Sequence, residues 1–275
     1  MNQFVTEATE YYNWLESISD PRTKDWFLVS SIFSPLSACS LYLLVVNIGP
    51  RFMEKRQPFE TKIPMALYNF GATALSWYCF TELLIGSWNA GYNYICQRVI
   101  VSNEPQHLQI AKVLWWFYVS KYYEMLDTVF FILRKKPNQI TFLHVYHHTT
   151  ILGLWWIGIK WVPGGSSFFS SMVNSFVHVV MYTYYGLSVF PTLRRYLWWK
   201  RYLTQLQLIQ FVSNFLQAIL GLREDCGFPR WMAYGMLSYM ISMFMLFGNF
   251  YYRTYTNKTV AANRVTLKET YMKSD

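Results

Sequence analysis

Seven stretches of this sequence, approximately 27–48, 64–86, 113–133, 141–160, 166–190, 203–222 and 231–252, each approach the ~20 residues needed to cross a hydrocarbon core. In lipid every backbone N–H and C=O needs an internal partner, so only α-helices and closed barrels cross. Runs twice the ~10 residues of a barrel strand read as helices. The expectation is an all-α membrane protein of seven transmembrane helices. The first, fifth, sixth and seventh stretches contain no Asp, Glu, Lys or Arg, and the chain is 53% hydrophobic, 20% aromatic and 14% charged.

Lys and Arg in the loops set the orientation. Sixteen fall on the side that follows the first span and seven on the other, which predicts a lumenal N-terminus and a cytosolic C-terminus. The net charge of +9 is then mostly a cytosolic skirt, and no basic cluster calls for nucleic acid. Residues 1–26 form a lumenal segment without an apolar core and cleavage site, so the first span is expected to act as the targeting signal. Residues 27–252 form one seven-span domain, and 253–275 a cytosolic tail. Cys39 and Cys79 fall within spans as small buried hydrophobes. Cys96 and Cys226 share the lumenal side, where an oxidising compartment favours a disulfide. The sequon Asn257-Lys258-Thr259 falls on the cytosolic side and is expected to stay unmodified. Spans 2–4 and 5–7 would be two inverted three-helix units.

The polar residues inside the spans fall into stripes. His144, His147 and His148 occupy positions i, i+3 and i+4 of span 4, so three of the five histidines share one helix face. Span 3 carries Lys121, Glu124, Asp127 and Thr128; a lysine one turn from a glutamate offsets its charge. The plainer reading is an ion pair that locks two helices, and a lysine that carries a retinal Schiff base is a third. Span 5 carries Asn174, His178, Tyr182 and Tyr185. Span 6 carries Thr204, Gln207, Gln210, Asn214 and Gln217, amides that often serve as interhelical glue. Four such helices call for a common, partly polar cavity with aromatic walls. Arg134, Lys136, Lys200 and Arg253 border its cytosolic rim, where they either follow the positive-inside rule or grip phosphates.

Clustered histidines also serve di-iron lipid oxygenases, but two irons held by imidazole need about eight nitrogens. With His107 in a loop, four histidines remain, enough for one metal ion and too few for two.

The boxes Lys121–Thr128, His144–His148, Asn174–Tyr185 and Thr204–Gln210 resemble, in order, the signature motifs of the very-long-chain fatty acid elongases. The likeness runs from Asp20-Pro21-Arg22 through Arg253, and Asn89–Tyr92, Leu154–Trp161 and Tyr196–Tyr202 are most similar to the family's subtype-four branch. The resemblance implies an endoplasmic reticulum enzyme with six of seven helices in an inverted-repeat barrel around an acyl-CoA tunnel. Its reaction would be the first step of elongation, condensing acyl-CoA with malonyl-CoA to 3-oxoacyl-CoA, carbon dioxide and CoA. By motif, His147 is the nucleophile and His178 its partner. Lys121, Arg134, Lys136, Gln139, His144, Tyr184, Lys200, Thr204, Gln207 and Arg253 would line the substrate path. The resemblance implies no bound metal or cofactor, malonyl-CoA as co-substrate, and as partners the ketoreductase, dehydratase and enoyl reductase of the same cycle; it permits a homo-oligomer. The branch often ends in two lysines that act as a retrieval signal. Here Lys273 is accompanied by Tyr271, which departs from that pattern.

The chemistry is compatible. Condensing enzymes commonly load acyl groups on cysteine, yet no histidine lies near Cys39 or Cys79 in sequence to activate either. Neutral imidazole attacks thioesters, and Glu124 or Asp127 could orient one. His178 or Asn174 could hold the enolate oxygen left by decarboxylation, with His148 and Tyr182 in support. Two rivals stand beside this reading: a metal-dependent lipid oxygenase and a non-enzymatic seven-helix lipid receptor.

Overall fold

The computed structural model describes residues 2–256, with side chains from Val5 onward; among these residues there are nine α-helices and no strand. They are α1 (Asn2–Ser17), α2 (Phe33–Met53), α3 (Lys62–Asn89), α4 (Pro105–Glu124), α5 (Leu126–Leu133), α6 (Phe142–Trp161), α7 (Ser167–Ser188), α8 (Lys200–Glu224) and α9 (Arg230–Tyr251). The helix starts follow local chemistry. Pro105 opens α4, the Thr141 hydroxyl accepts the His144 N–H at 3.2 Å to cap α6, and Pro229 precedes α9.

The helices pack in a closed circuit: α3 on α4, α4 on α6, α6 on α9, α9 on α8, α8 on α7, and α7 back on α3. Outside the circuit, α2 lies against α5 and α6. Large apolar side chains such as Ile63, Leu67, Trp77, Ile209 and Met245 point outward and are more than half exposed, while the polar residues gather within. Two of the described helices, Phe33–Met53 and the Arg230–Thr256 extension of α9, are long and apolar enough by hydropathy to cross a membrane. The inward polar stripes lower the mean for others.

Helix α1 occupies a segment expected only to be polar, and three further features depart from the seven-span reading. The first span was expected to start at 27, but the helix begins at Phe33. Residues 27–30 are instead a folded strap whose four carbonyls each receive a distant side chain. Trp115 Nε1 donates to Phe27 at 2.9 Å, Tyr118 Oη to Leu28 at 3.1 Å, Trp156 Nε1 to Val29 at 3.1 Å and Lys160 Nζ to Ser30 at 3.3 Å. Leu28 takes a left-handed φ of 66°, and Val29 is fully buried. Lys160, the last residue of the expected fourth span and one of the seven cations counted on the lumenal side, is buried and paired with Glu16 at 2.9 Å.

The third span is broken. The hydrogen-bond ladder fails at Met125, so α4 and α5 meet at a joint rather than forming one rod. The Tyr68 hydroxyl lies 3.4 Å from the carbonyls of both Tyr123 and Glu124 and supplies the donor that the ladder lacks there.

At the opposite end from the basic rim, the loop after α3 is tied to two helices. The Gln97 N–H donates to Ser166 Oγ at 2.9 Å beside the start of α7, Gln217 Nε2 donates to the Ile95 carbonyl at 3.1 Å near the end of α8, and Cys96 is disulfide-bonded to Cys226. Gly165, at φ +56°, lies so close to this loop that a Cβ would meet the Gln97 carbonyl oxygen at 2.8 Å. One loop thus holds the start of α7 and the end of α8, so these neighbours run antiparallel. The sequon at 257–259 and the Tyr271/Lys273 tail lie outside the described residues.

Candidate functional site

The last turn of α4 and the middle of α7 form a buried charged cluster. Glu124 Oε1 accepts from Lys121 Nζ at 2.8 Å and Ser120 Oγ at 3.1 Å, and His178 Nδ1 lies 3.2 Å from it. Lys121 Nζ donates further to Asn174 Oδ1 at 3.1 Å, joining the stripes of spans 3 and 5. Lys121 and Glu124 are 1% and 2% exposed, a placement that charges tolerate only when paired. Glu124 Oε2 has no partner among the described residues.

Either Glu124 or Asp127 was expected to orient an imidazole, and the two carboxylates differ in their partners. The joint at Met125 turns Asp127 away from Glu124, and its Oδ2 accepts from Tyr182 Oη at 2.9 Å. Glu124 alone of the two carboxylates meets a histidine. Tyr185, the last member of the span 5 stripe, reaches the surface with 36% exposure.

The three histidines of α6 share a stripe but not an environment. His144 Nε2 meets Thr128 Oγ1 at 2.7 Å, which in turn meets Tyr42 Oη of α2 at 3.1 Å. His148 is packed between His144 and His147, with ring centroids 4.5 and 5.1 Å away, and its buried Nδ1 has no partner among the described residues. Of the three, His147 alone lines a cavity of about 220 Å³. Aromatic and aliphatic side chains of α4, α6 and α9 form most of its wall, including Phe117, Trp155, Met236 and Tyr239, while Ser170, Asn174, Gln210 and Asn214 form a polar side. His178 does not line the cavity; it stands behind Asn174 in the charged cluster.

The remaining expected residues lie toward the opposite end from the disulfide. Lys136, Gln139, Lys200 and Arg253 are exposed. Arg134 is half-buried, with Nη1 3.1 Å from Met65 Sδ. Thr204 is buried, Gln207 Nε2 approaches Met181 Sδ at 3.6 Å, and the Tyr184 ring meets Trp199 edge-on at 4.9 Å. Sequence reasoning passed over Ser120, Tyr42 and Tyr68. Ser120 lies one turn before Glu124, a spacing that could have flagged it. Tyr42 and Tyr68 sit in apolar runs that carry no such signal.

Among the described residues no group of three or more His, Cys, Asp or Glu side chains is gathered as a metal site would require. The chain matches the ELO: GNS1/SUR4 family over residues 27–263. It is similar to very long chain fatty acid elongase 4 of Homo sapiens, 53% identical over 252 residues that cover 91% of this chain and 80% of that protein. Identity to elongase 4 of Macaca mulatta is 50% over 277 residues, covering 96% and 88%. Very long chain fatty acid elongase 5 of Rattus norvegicus is 45% identical over 268 residues, covering 98% and 89%.

Proposed function

This chain belongs to the GNS1/SUR4 family, and from that premise we propose that it is a membrane-embedded very-long-chain fatty acid elongase that condenses acyl-CoA with malonyl-CoA. In this reading it is an acyltransferase of the endoplasmic reticulum membrane, with a lumenal N-terminus and a cytosolic C-terminus. It has seven spans, six of them around the substrate tunnel, and hands 3-oxoacyl-CoA to the reductase and dehydratase steps that follow.

The observation that carries the mechanism is the position of His147. Its ring faces the cavity and makes no hydrogen bond to a described residue, so a nitrogen lone pair is free to attack. The two free cysteines do not line that cavity: Cys79 is 1% exposed and the Cys39 thiol donates to the Thr149 carbonyl at 3.4 Å. His147 would take the acyl group from CoA as an acyl-imidazole and release it to the carbanion left when malonyl-CoA loses carbon dioxide. Glu124 holds His178 in one orientation, and Lys121 fixes Asn174 at the cavity wall. The exposed rim cations suit CoA phosphates.

Purified enzyme given acyl-CoA alone should release about one CoA per site in a burst. Intact mass should rise by one acyl group, mapping to His147, and His147→Ala should abolish the adduct. CoA release that waits for malonyl-CoA would overturn the two-stage scheme in favour of a ternary complex.

A further inference from the structure

Three carboxamides share the cavity wall with His147: Asn174, Gln210 and Asn214. Asn174 is spoken for, since its Oδ1 accepts from Lys121. The other two are not. Gln210 and Asn214 are 5% and 2% exposed, and neither side chain hydrogen-bonds to a described residue. Asn214 Oδ1 is buried with no partner among the described residues; as an acceptor it offers a substrate oxygen nothing, so the Nδ2 end of that amide is the one that can donate. Amides that glue helices together bond to a neighbouring helix; these two do not. A hydrocarbon tail offers them nothing, and an unpaired buried amide carries a desolvation penalty. The natural partners of their N–H groups are the oxygens of the substrates.

The register of the helices sets the level at which those oxygens would be met. Gln207 of α8 approaches Met181 of α7. Followed antiparallel from that contact, α8 brings Gln210 to the level of His178 and Asn214 to the level of Asn174. Asn214 thus stands level with Asn174, and both amides lie on the cavity wall that His147 shares.

We propose that Gln210 and Asn214 are catalytic residues whose amide N–H groups hold the two oxygens on which negative charge develops. The inference rests on the elongase reading. In loading, a His147 nitrogen bonds to the thioester carbon and the carbonyl electron pair moves onto oxygen. The pair returns as the C–S bond breaks; the CoA thiolate leaves and takes up the proton that the imidazole loses. In condensation the C–C bond to the malonyl carboxylate breaks, carbon dioxide leaves, and its electron pair becomes the enolate. The enolate carbon then bonds to the acyl carbon, charging the acyl oxygen a second time. That charge collapses as the C–N bond to His147 breaks and the imidazole regains a proton from solvent. Two oxygens carry charge in turn, and two pre-placed donors await them.

The test uses Gln210→Met and Asn214→Leu, which keep side-chain volume and remove the donors, in single-turnover rapid-quench assays with acyl-CoA and then malonyl-CoA. Each variant should lower the rate constants by about 10²–10³-fold, as loss of one oxyanion donor does, with KM changed by less than about threefold and burst amplitude still at the wild-type stoichiometry. A merely structural role would lower amplitude, because fewer sites would be competent, and leave the rate of the rest alone. Gln210→Glu and Asn214→Asp keep the shape and replace the donor with an acceptor, so they stand in for any variant that fails to elute as folded protein, with the same loss expected. Rate constants within threefold of wild type in folded variants would overturn the proposal. Wild-type enzyme that forms no 3-oxoacyl-CoA would instead overturn the elongase reading.

Discussion

Removing Lys121 should destabilise the protein more than removing Lys121 and Glu124 together. Lys121→Met deletes a cation that donates at 2.8 Å to Glu124 and at 3.1 Å to Asn174. It leaves a carboxylate that is 2% exposed, with one oxygen already unpartnered, facing only Ser120 and His178. Breaking a buried pair by removing one partner costs about 3–5 kcal/mol, because the surviving charge stays buried. Glu124→Gln should cost a similar amount by stranding the lysine. The double variant strands no charge, and replacing a buried ion pair with neutral groups is often close to neutral. The coupling energy should therefore reach about 3 kcal/mol or more. For a chain of this size 1 kcal/mol moves the melting temperature by about 2–4 °C, so each single variant should melt on the order of 10 °C lower. Tryptophan-fluorescence melts in detergent micelles read this directly. A double variant whose loss equals the sum of the singles, or a Lys121→Met protein melting with wild type, would refute the claim that this pair is desolvated and mutually dependent.

Neutralising Arg134, Lys136, Lys200 or Arg253 singly should raise KM for acyl-CoA about tenfold where the cation grips a phosphate, since a charge-assisted contact is lost; unchanged KM in all four would reduce the rim to a topology signal. Non-reducing peptide mapping should recover Cys96 linked to Cys226, and two freely alkylated thiols in folded protein would contradict the bridge. Thr128→Val removes the hydroxyl between His144 and Tyr42, leaves two partners unpaired, and should destabilise by about 1–3 kcal/mol; a melting temperature equal to wild type would show that neither bond matters.

Features that depend on neighbours in sequence were legible, and those that depend on neighbours in space were not. The expected span 141–160 matches Phe142–Trp161, and 231–252 matches Arg230–Tyr251, because each is a continuous apolar run of about the length a bilayer needs. The Lys121–Glu124 pair was readable from its spacing of three. Residues 27–32 are as apolar as the helix that follows, and only donors from α4 and α6 decide that they form a strap. Asp127 lay at the same helical spacing as Glu124, yet the joint at Met125 sends it to Tyr182. Gln210 and Asn214 looked like glue; what separates them from glue is the absence of a partner, which no sequence displays.

The strap also has a consequence in time. Synthesis delivers residues 27–30 first, while the Lys160 that meets the Ser30 carbonyl follows 130 residues later. At roughly 5–20 residues per second, the donor is made on the order of 10 s after its acceptor. Until then these carbonyls have neither a helix of their own nor their eventual side chains, and lipid would leave them unsatisfied. Residues 27–30 must therefore wait in a hydrated setting until α4 and α6 have been made, so the strap is set late in folding rather than seeding it.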